Sequence, residues 1–316
     1  MRPEIAGILG ETEKVIAGKR GTIIRILTAL LADGHILLDD VPGVGKTTLA
    51  VALSRAADLT YRRIQFTPDV LPSDLVGFSM PDAKSGTMAY RPGILNGTNF
   101  LLGDEINRAS SKTQSALLEA MEERQITVDG TTYPLPLPFL VIATQNSIGT
   151  AGTQTLPFAQ MDRFMIRLSL GYPDYAAQME MLRARQGTEP MESVARVLTR
   201  GELTGLQDEV RRVTSRDAIL DYIVRLTEAS RRHPALAVGI SPRGALFLDR
   251  MAKARAWTEG RDYVIGSDVA DVFRDVCAHR VLLTDEQADA GVTVDGVLAE
   301  LLKTVTTPDR HRMTEQ

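Results

Sequence analysis

The sequence predicts an α/β domain built on a mostly parallel, five-stranded sheet, followed by an α-helical domain. Five short apolar runs have the composition of buried strands, and helices or insertions separate them along the chain. These runs lie near residues 36, 61, 100, 140 and 166. Beyond Gly171 the pattern becomes helical with glycine and proline breaks, so we expect one domain over residues 1–172 and a second over residues 173–316.

Composition and charge narrow the class of protein. A chain of 316 residues is long enough for two domains, and its net charge of −4 argues against a protein that coats nucleic acid, without excluding a local basic channel. Cys277 is the single cysteine, so an intramolecular disulfide cannot form and a cytoplasmic location is expected. Because Cys277 and His279 have no second pair of ligands nearby in sequence, we expect helix packing rather than a metal site. No apolar run approaches the roughly 18 residues of a membrane helix, so no membrane insertion is expected.

Two helices are expected before the first strand, within residues 4–33, because Gly18 and Gly21 interrupt the pattern between them. Apolar residues at helical spacing mark the second helix: Ile23, Ile24, Leu27, Leu30 and Leu31.

The first strand leads into a turn that resembles a phosphate-binding Walker A loop. The turn residues are Pro42, Gly43, Val44, Gly45, Lys46, Thr47 and Thr48. In such a loop, backbone N–H groups and a helix N-terminus hold the phosphates, Lys46 would reach the β and γ oxygens, and the Thr47 hydroxyl would bind Mg²⁺. Asp40 stands where the usual pattern has a glycine, and the alternative is a plain Gly/Pro loop with a surface lysine.

The strand near residue 100 ends in two carboxylates, Asp104 and Glu105. Parallel strands present their carboxyl ends to the ligand crevice, so both side chains would face the phosphates. Asp104 would hold the Mg²⁺ shell, and Glu105 would polarise the attacking water. Taken alone, an acidic pair after an apolar run is usually a helix cap or a turn; the phosphate loop upstream favours the nucleotide site.

Two further segments are expected to form hairpins. Residues 76–78 and 88–90 would flank one tip, with a flexible surface loop as the alternative. Residues 126–133 alternate around an Asp-Gly pair, which is typical of a tight hairpin turn. Between the hairpins, residues 110–125 have the pattern of an amphipathic helix. In the second domain, the clearest helices are expected at 218–231 and 244–258.

With these segments placed, the chain resembles the MoxR family of AAA+ ATPases from about residue 5 to about residue 300. The most specific string is Asp104-Glu105-Ile106-Asn107-Arg108-Ala109, which continues through residues 112–123. The family's phosphate loop often lacks its first glycine, which accounts for Asp40. The resemblance implies an AAA+ αβα core with hairpin insertions and a C-terminal helical lid domain. It also implies binding of ATP and Mg²⁺, and hydrolysis of ATP.

The resemblance assigns further roles by position. Asn146 would act as sensor 1 on the γ-phosphate or the lytic water, and Arg163 would be an arginine finger acting on the nucleotide of a neighbouring subunit. Arg243 would be sensor 2, reaching the γ-phosphate from the lid. Val15 and Ile16 would line the adenine pocket. The alternatives are an amide at a strand end for Asn146, an Asp-Arg ion pair for Arg163, a helix start for Arg243, and ordinary core packing for Val15 and Ile16.

The implied assembly is a ring of identical subunits, a hexamer, that remodels or activates a protein client with a von Willebrand factor A domain protein as adaptor. Gly149 and Phe158 replace acidic residues that are usual in the family near the subunit boundary. These departures concern contacts between subunits and leave the hydrolytic residues intact.

Three other functions share features with this sequence. A nucleic-acid motor or loader is disfavoured by the acidic net charge and by hairpin tips whose one lysine is Lys84. A magnesium chelatase-type ATPase subunit shares the architecture, but the string that begins at Asp104 favours MoxR. A non-hydrolysing nucleotide switch is disfavoured because Glu105 is present.

Overall fold

The computed structural model describes residues 1–82, 86–145, 156–186 and 190–308. The described strands are β1 (Ile36–Asp39), β2 (Tyr61–Gln65), β3 (Gly77–Pro81), β4 (Met88–Pro92), β5 (Phe100–Asp104), β6 (Gln125–Val128), β7 (Thr131–Pro134), β8 (Leu140–Gln145), β9 (Ile166–Leu168), β10 (Leu236–Val238) and β11 (Leu282–Leu283). The described α-helices are α1 (Pro3–Glu13), α2 (Arg20–Leu31), α3 (Lys46–Ala56), α4 (Pro72–Val76), α5 (Ser111–Glu123), α6 (Phe158–Met161), α7 (Tyr175–Ala184), α8 (Arg200–Arg212), α9 (Asp217–Arg232), α10 (Pro242–Thr258), α11 (Gly266–Cys277), α12 (Asp285–Asp289) and α13 (Val294–Thr304).

The five predicted sheet strands pair in parallel, in the order β2-β5-β8-β1-β9. The inner strands β5 and β8 are buried along their whole length, which explains why their sequences are nearly continuous apolar runs. The edge strand β2 is partly exposed at every position and carries polar side chains. The predicted fold class is confirmed.

Successive residues of the sheet strands face opposite sides and belong to two separate cores. On one side, Leu38, Leu102 and Ile142 pack with α2, α3 and the C-terminal helices. On the other side, Leu37 and Leu101 pack with α5 and the second hairpin. The apolar runs of β1, β5 and β8 therefore contribute to both layers, as expected for a sheet covered on both faces.

Both predicted hairpins are present. β3 pairs antiparallel with β4, and β6 pairs antiparallel with β7. Tyr90 of β4 stacks on Tyr133 of β7, with 4.2 Å between ring centroids, so the two hairpins contact each other. At the tip of the first hairpin, residues 83–85, including Lys84, lie outside the described residues.

The C-terminal part is helical, and α9 and α10 confirm the two clearest helix predictions. The short antiparallel pair β10 and β11 was not predicted. α10 packs on α2 as well as on α8, α9 and α11, and the Arg250 side chain donates to the backbone oxygen of Asp33 at 2.9 Å. The proposed division at residue 172 stays a prediction. Among the described helices, none is long and apolar enough to cross a membrane.

His35, at the entrance to β1, is a buried neutral histidine. Its Nδ1 accepts from the Val141 backbone N–H at 3.1 Å, and its Nε2 donates to the Met121 carbonyl at 3.0 Å. Burial, with the nearby charge of Arg124, holds the pKa of His35 well below its ordinary value of 6.5. Protonation therefore favours the unfolded chain.

We expect the free energy of unfolding to be level above about pH 6.5 and to fall below it by about 1.4 kcal/mol per pH unit for each such histidine. His35→Gln keeps one donor and one acceptor but cannot take up a proton, so it should reduce that slope. Urea unfolding from about pH 5 to about pH 8 measures both proteins. Equal slopes in the wild type and the variant would contradict the assignment.

Candidate functional site

A cavity of about 590 Å³ lies at the carboxyl ends of β1 and β5. Residues from the loop after α1, the turn after β1, the strands β2 and β5, and helix α7 line it. The sequence-predicted residues that line this cavity are Val15, Ile16, Pro42, Gly43, Val44, Gly45, Lys46, Thr47, Thr48, Asp104 and Glu105. The structure therefore brings the predicted phosphate loop, the acidic pair and the predicted adenine-side residues to one place.

The turn after β1 has the backbone of an anion-binding loop. Gly43 and Gly45 have φ values of 83° and 95°, a left-handed region that favours glycine. Gly45 is the N-cap of α3 and has no side chain that could cap the first N–H groups of the helix. Such helix N-termini bind phosphate through backbone N–H groups and the helix dipole.

Lys46 begins α3 and extends into the cavity, where its Nζ donates to the backbone oxygen of Asp40 at 3.3 Å. Burial lowers the pKa of Lys46, against the opposing effect of nearby carboxylates, with Asp40 and Asp104 the largest of them. A phosphate group in the cavity would favour the charged ammonium in the same way, so the position suits a phosphate ligand.

Asp40 fills the place of the missing glycine and has a structural role. Its buried carboxylate accepts from the Ser169 hydroxyl at 2.9 Å and from the Gly171 N–H at 3.0 Å, and it also accepts from the Leu170 N–H. The aspartate thus ties the end of β1 to the segment that follows β9. This segment leads to Tyr172, which also lines the cavity.

The acidic pair is held by two neighbouring strands. The Thr144 hydroxyl of β8 donates to Asp104 Oδ1 at 3.3 Å and accepts from the Glu105 N–H at 3.0 Å. Arg63 of β2 donates through Nε to Asp104 Oδ2 at 2.7 Å. Glu105 has a φ of 57° and pairs with Arg108 at 2.7 Å. The two carboxylates therefore enter the cavity in defined positions.

The donor set fits Mg²⁺ when a nucleotide is present. Thr47 and Asp104 supply a hydroxyl and a carboxylate to the same cavity, and oxygen is the ligand that Mg²⁺ prefers. No cluster of three or more acidic, histidine or cysteine ligands occurs among the described residues. Phosphate oxygens and water would therefore supply the remaining ligands, which is the usual arrangement for this ion.

The two predicted arginines lie together, and neither is among the residues that line the cavity. Arg163 Nη1 is 3.1 Å from Glu122 Oε2, and Arg243 contacts the other oxygen of the same carboxylate. Arg243 Nη1 is also 3.9 Å from Asp162 Oδ2. The alternative of a pair between Arg163 and its neighbour Asp162 is not what the structure shows, since Arg163 turns to Glu122 instead. In one copy of the chain, Arg243 does not reach the cavity, and its sensor role stays a prediction.

A buried cation, Arg280, organises this second cluster. Its side chain is 0% exposed, and it donates to Asp162 Oδ1 at 2.9 Å and to the Asp162 backbone oxygen at 2.8 Å. The Ser241 hydroxyl, the N-cap of α10, donates to the same Oδ1 at 2.8 Å. Burial lowers the pKa of Arg280 to about 10, against the opposing effect of Asp162, so the guanidinium stays charged at neutral pH. The segment that carries Arg163 is thereby fastened to the helix that carries Arg243.

Gly244 shows how close this packing is. A Cβ added there would lie 2.7 Å from Arg280 Cδ, so α10 needs a glycine where it passes over the guanidinium stem. Asn146 and Gly149 lie outside the described residues, so the predicted sensor 1 stays a prediction. Phe158 begins the short helix α6.

The sequence interpretation missed several residues at both places: Arg63, Thr144, Tyr172, Gln178, Met181 and Arg185 around the cavity, and Glu122, Asp162 and Arg280 in the second cluster. Most of these residues are far in the sequence from the motif residues that they join in space. The one local signal was Thr144, a polar residue at the end of an apolar strand.

Comparisons with known proteins agree with this architecture. The model of the ATPase family associated with various cellular activities (AAA) matches residues 35–166, and the model of the AAA lid domain matches residues 228–301. The Bacillus subtilis protein YeaC is 42% identical, over 98% of this chain and 96% of its own length. Chaperone MoxR1 of Mycobacterium tuberculosis is 38% identical, over 97% of this chain and 83% of its own length. A crystal structure of a protein from Cytophaga hutchinsonii has a TM-score of 0.89 at 36% identity, and the match covers 97% of this chain and 95% of that chain.

The fold and the cavity define an AAA+ protein with a core and a lid. The full-length similarity to MoxR1 narrows the class, and the chain belongs to the MoxR family of AAA+ ATPases.

Asp40→Asn tests the structural role of the unusual aspartate. The amide has a single acceptor oxygen for three donors, so we expect a loss of about 1–3 kcal/mol in the free energy of unfolding. The matched control is Asp58→Asn, because the carboxylate of Asp58 is exposed and lies 3.8 Å from an exposed Arg196. That change should cost less than about 0.5 kcal/mol. Urea denaturation measures both, and equal losses would contradict the role given to Asp40.

Proposed function

We propose that this protein hydrolyses ATP in the cavity at the carboxyl ends of β1 and β5, and that it uses the energy to remodel or activate a protein client. The observation that carries this proposal is the meeting of Lys46, Thr47, Asp104 and Glu105 around one cavity. These four side chains have the chemistry that phosphoryl transfer to water needs. They supply, in that order, a cation that binds phosphate, a metal-binding hydroxyl, a metal-binding carboxylate and a base.

Each group has a distinct task in the proposed reaction. Lys46 and the N–H groups of α3 hold the β- and γ-phosphates in line for attack. Mg²⁺, bound with the nucleotide near Thr47 and Asp104, would shield phosphate charge. Glu105 orients the attacking water, and the hydrogen bond from its own N–H to Thr144 fixes where its side chain begins. Asn146 is proposed to contact the γ-phosphate or this water.

The site is proposed to be completed by a second copy of the chain. Arg163 and Arg243 are partly exposed and share one carboxylate, Glu122, away from the cavity of their own chain. A cation that stabilises the transition state from a neighbouring subunit contributes about 10³–10⁵ in rate in other phosphoryl-transfer systems. We propose that Arg163 faces the nucleotide of the next subunit in a ring, and that this ring is a hexamer. Arg243 is proposed to act as sensor 2, reaching the γ-phosphate from the lid.

Residues 1–172 are proposed to form the nucleotide-binding core and residues 173–316 the lid domain. Helix α7 belongs to the second part but lines the cavity through Ala177, Gln178 and Met181. A lid that contacts the nucleotide directly can change its position with nucleotide state. We propose that this movement is passed to the two hairpins, which contact each other through Tyr90 and Tyr133.

The name of MoxR1 describes that protein as a chaperone. A chaperone-like action on a protein client, with a von Willebrand factor A domain protein as adaptor, is our proposal for this chain as well. The cytoplasmic location expected from the single cysteine stays a prediction.

Glu105→Gln tests the hydrolytic assignment. The amide keeps the size of the side chain but cannot act as a base, so turnover should fall by about 10²–10⁴-fold while ATP still binds. Phosphate release measures turnover, and a fluorescent ATP analogue measures affinity. Glu123→Gln, the same change at an exposed position at the end of α5, is the control and should keep wild-type turnover. Wild-type turnover in Glu105→Gln would remove Glu105 from its role.

Mixed assemblies test the shared site. Arg163→Ala and Lys46→Ala should each be inactive alone, because one lacks the finger and the other lacks the phosphate lysine. Mixed in equal amounts, they should form about one interface in four with both groups intact, so ATPase activity should partly return. A mixture of Lys46→Ala and Glu105→Ala is the control, since both changes damage the cavity of their own chain. A mixture of the first pair that stays inactive would argue against a finger from the neighbouring subunit.

A further inference from the structure

Arg63 is a cation in the cavity that the sequence motifs do not account for. It lies on the edge strand β2, opposite Leu102 of β5, and its side chain is 48% exposed. Its Nε donates to Asp104 Oδ2 at 2.7 Å, whereas the Asp104 side chain is 9% exposed. Arg63 also lines the cavity itself, together with Lys46 and Glu105. The guanidinium therefore reaches the candidate Mg²⁺ ligand from the solvent side.

Both oxygens of the Asp104 carboxylate have partners. Oδ1 accepts from the Thr144 hydroxyl at 3.3 Å, and Oδ2 accepts from Arg63. The Thr144 bond is compatible with a bound cation because a hydroxyl is neutral. The Arg63 bond is not, since a guanidinium and a divalent cation repel each other and would compete for the same oxygen.

The ion pair of Arg63 and Asp104 affects nucleotide binding through the net charge of the cavity. Two carboxylates, those of Asp104 and Glu105, lie in a cavity that must accept a polyanion, and each has an arginine partner, Arg63 for the first and Arg108 for the second. Without its partner, Asp104 would repel the phosphates until Mg²⁺ neutralised it. Arg63 supplies that neutralisation when the ion is absent.

Resting on the function proposed above, we propose that Arg63 is a placeholder cation for Mg²⁺. It holds the Asp104 carboxylate in the metal-free protein and releases Oδ2 when Mg²⁺ binds with the nucleotide. Arg63 thereby sets how strongly nucleotide binding depends on Mg²⁺. It is a positioning residue for Asp104, and it is not a ligand of the phosphates.

Replacing Arg63 should change the affinity for ATP differently without metal and with saturating Mg²⁺. In Arg63→Gln, metal-free ATP should bind about three- to tenfold more weakly, because Asp104 is left without its cation. With saturating Mg²⁺ the affinity should change by less than about twofold, because the ion has replaced Arg63 in both proteins. The Mg²⁺ concentration that gives half of the affinity gain should be lower in the variant, since its competitor is gone.

The measurement is equilibrium binding of a fluorescent ATP analogue to the full-length protein, in EDTA and across a Mg²⁺ titration. Arg62→Gln is the matched control: the same residue type and the same change, one position earlier on β2, where the side chain faces the other side of the sheet and is not among the residues lining the cavity. It should behave as the wild type. Arg63→Lys keeps the positive charge and should restore most of the metal-free affinity. Urea unfolding of each variant checks that the fold is intact.

Two results would overturn the proposal. An equal loss of affinity with and without Mg²⁺ would make Arg63 a phosphate ligand, and unchanged binding in both conditions would make the pair purely structural. Both results leave the proposed ATPase function standing. A wild-type protein that binds no ATP in either condition would overturn that function and the role of Arg63 together.

Discussion

Parallel pairing of β1, β5 and β8 is the constraint on which the nucleotide site depends. Because the three strands run in the same direction, the loop after β1 and the carboxylates after β5 end at one edge of the sheet. Thr144, from the end of β8, contacts both Asp104 and Glu105 at that edge. A single polar side chain on the middle strand thus contacts both members of the acidic pair.

The buried charges of Asp40 and Arg280 are hydrogen-bonded, and their contacts join separate parts of the chain. Asp40 connects the end of β1 to the segment after β9 through three donors. Arg280 connects the end of α11 to the segment around Asp162, and Asp162 in turn accepts from the cap of α10. Removing the hydrogen-bond partners of a buried charge leaves that charge uncompensated in the interior, which lowers the stability of the fold. These contacts therefore hold together the segments of the chain that carry or adjoin the proposed catalytic groups.

The candidate site residues of the chain form two separate groups, one in the cavity and one around Glu122. The cavity contains the groups that are proposed to hold and hydrolyse a triphosphate, whereas Arg163 and Arg243 both contact Glu122 and are not among the residues that line the cavity. A cavity with its own cationic side chains, Lys46 and Arg63, and a pair of partly exposed arginines outside its lining are compatible with the proposal of a site shared between copies. Asp162, beside Arg163, accepts from the Ser241 cap of the helix that carries Arg243 and from the buried Arg280, so these contacts hold the segments of the two arginines together.

The sequence alone determined the features that depend on neighbours along the chain. Buried strands appear as apolar runs, the phosphate loop needs glycines where φ is positive, and the carboxylates lie at the end of their strand. The fold class and part of the cavity lining could therefore be predicted from short patterns. The tertiary structure decided the partners: Arg63 on Asp104, 41 residues apart, and Arg280 on Asp162, 118 residues apart. Those contacts depend on β2 lying beside β5 and on α11 packing against the sheet, and side-chain patterns along the chain do not report which elements become neighbours in space.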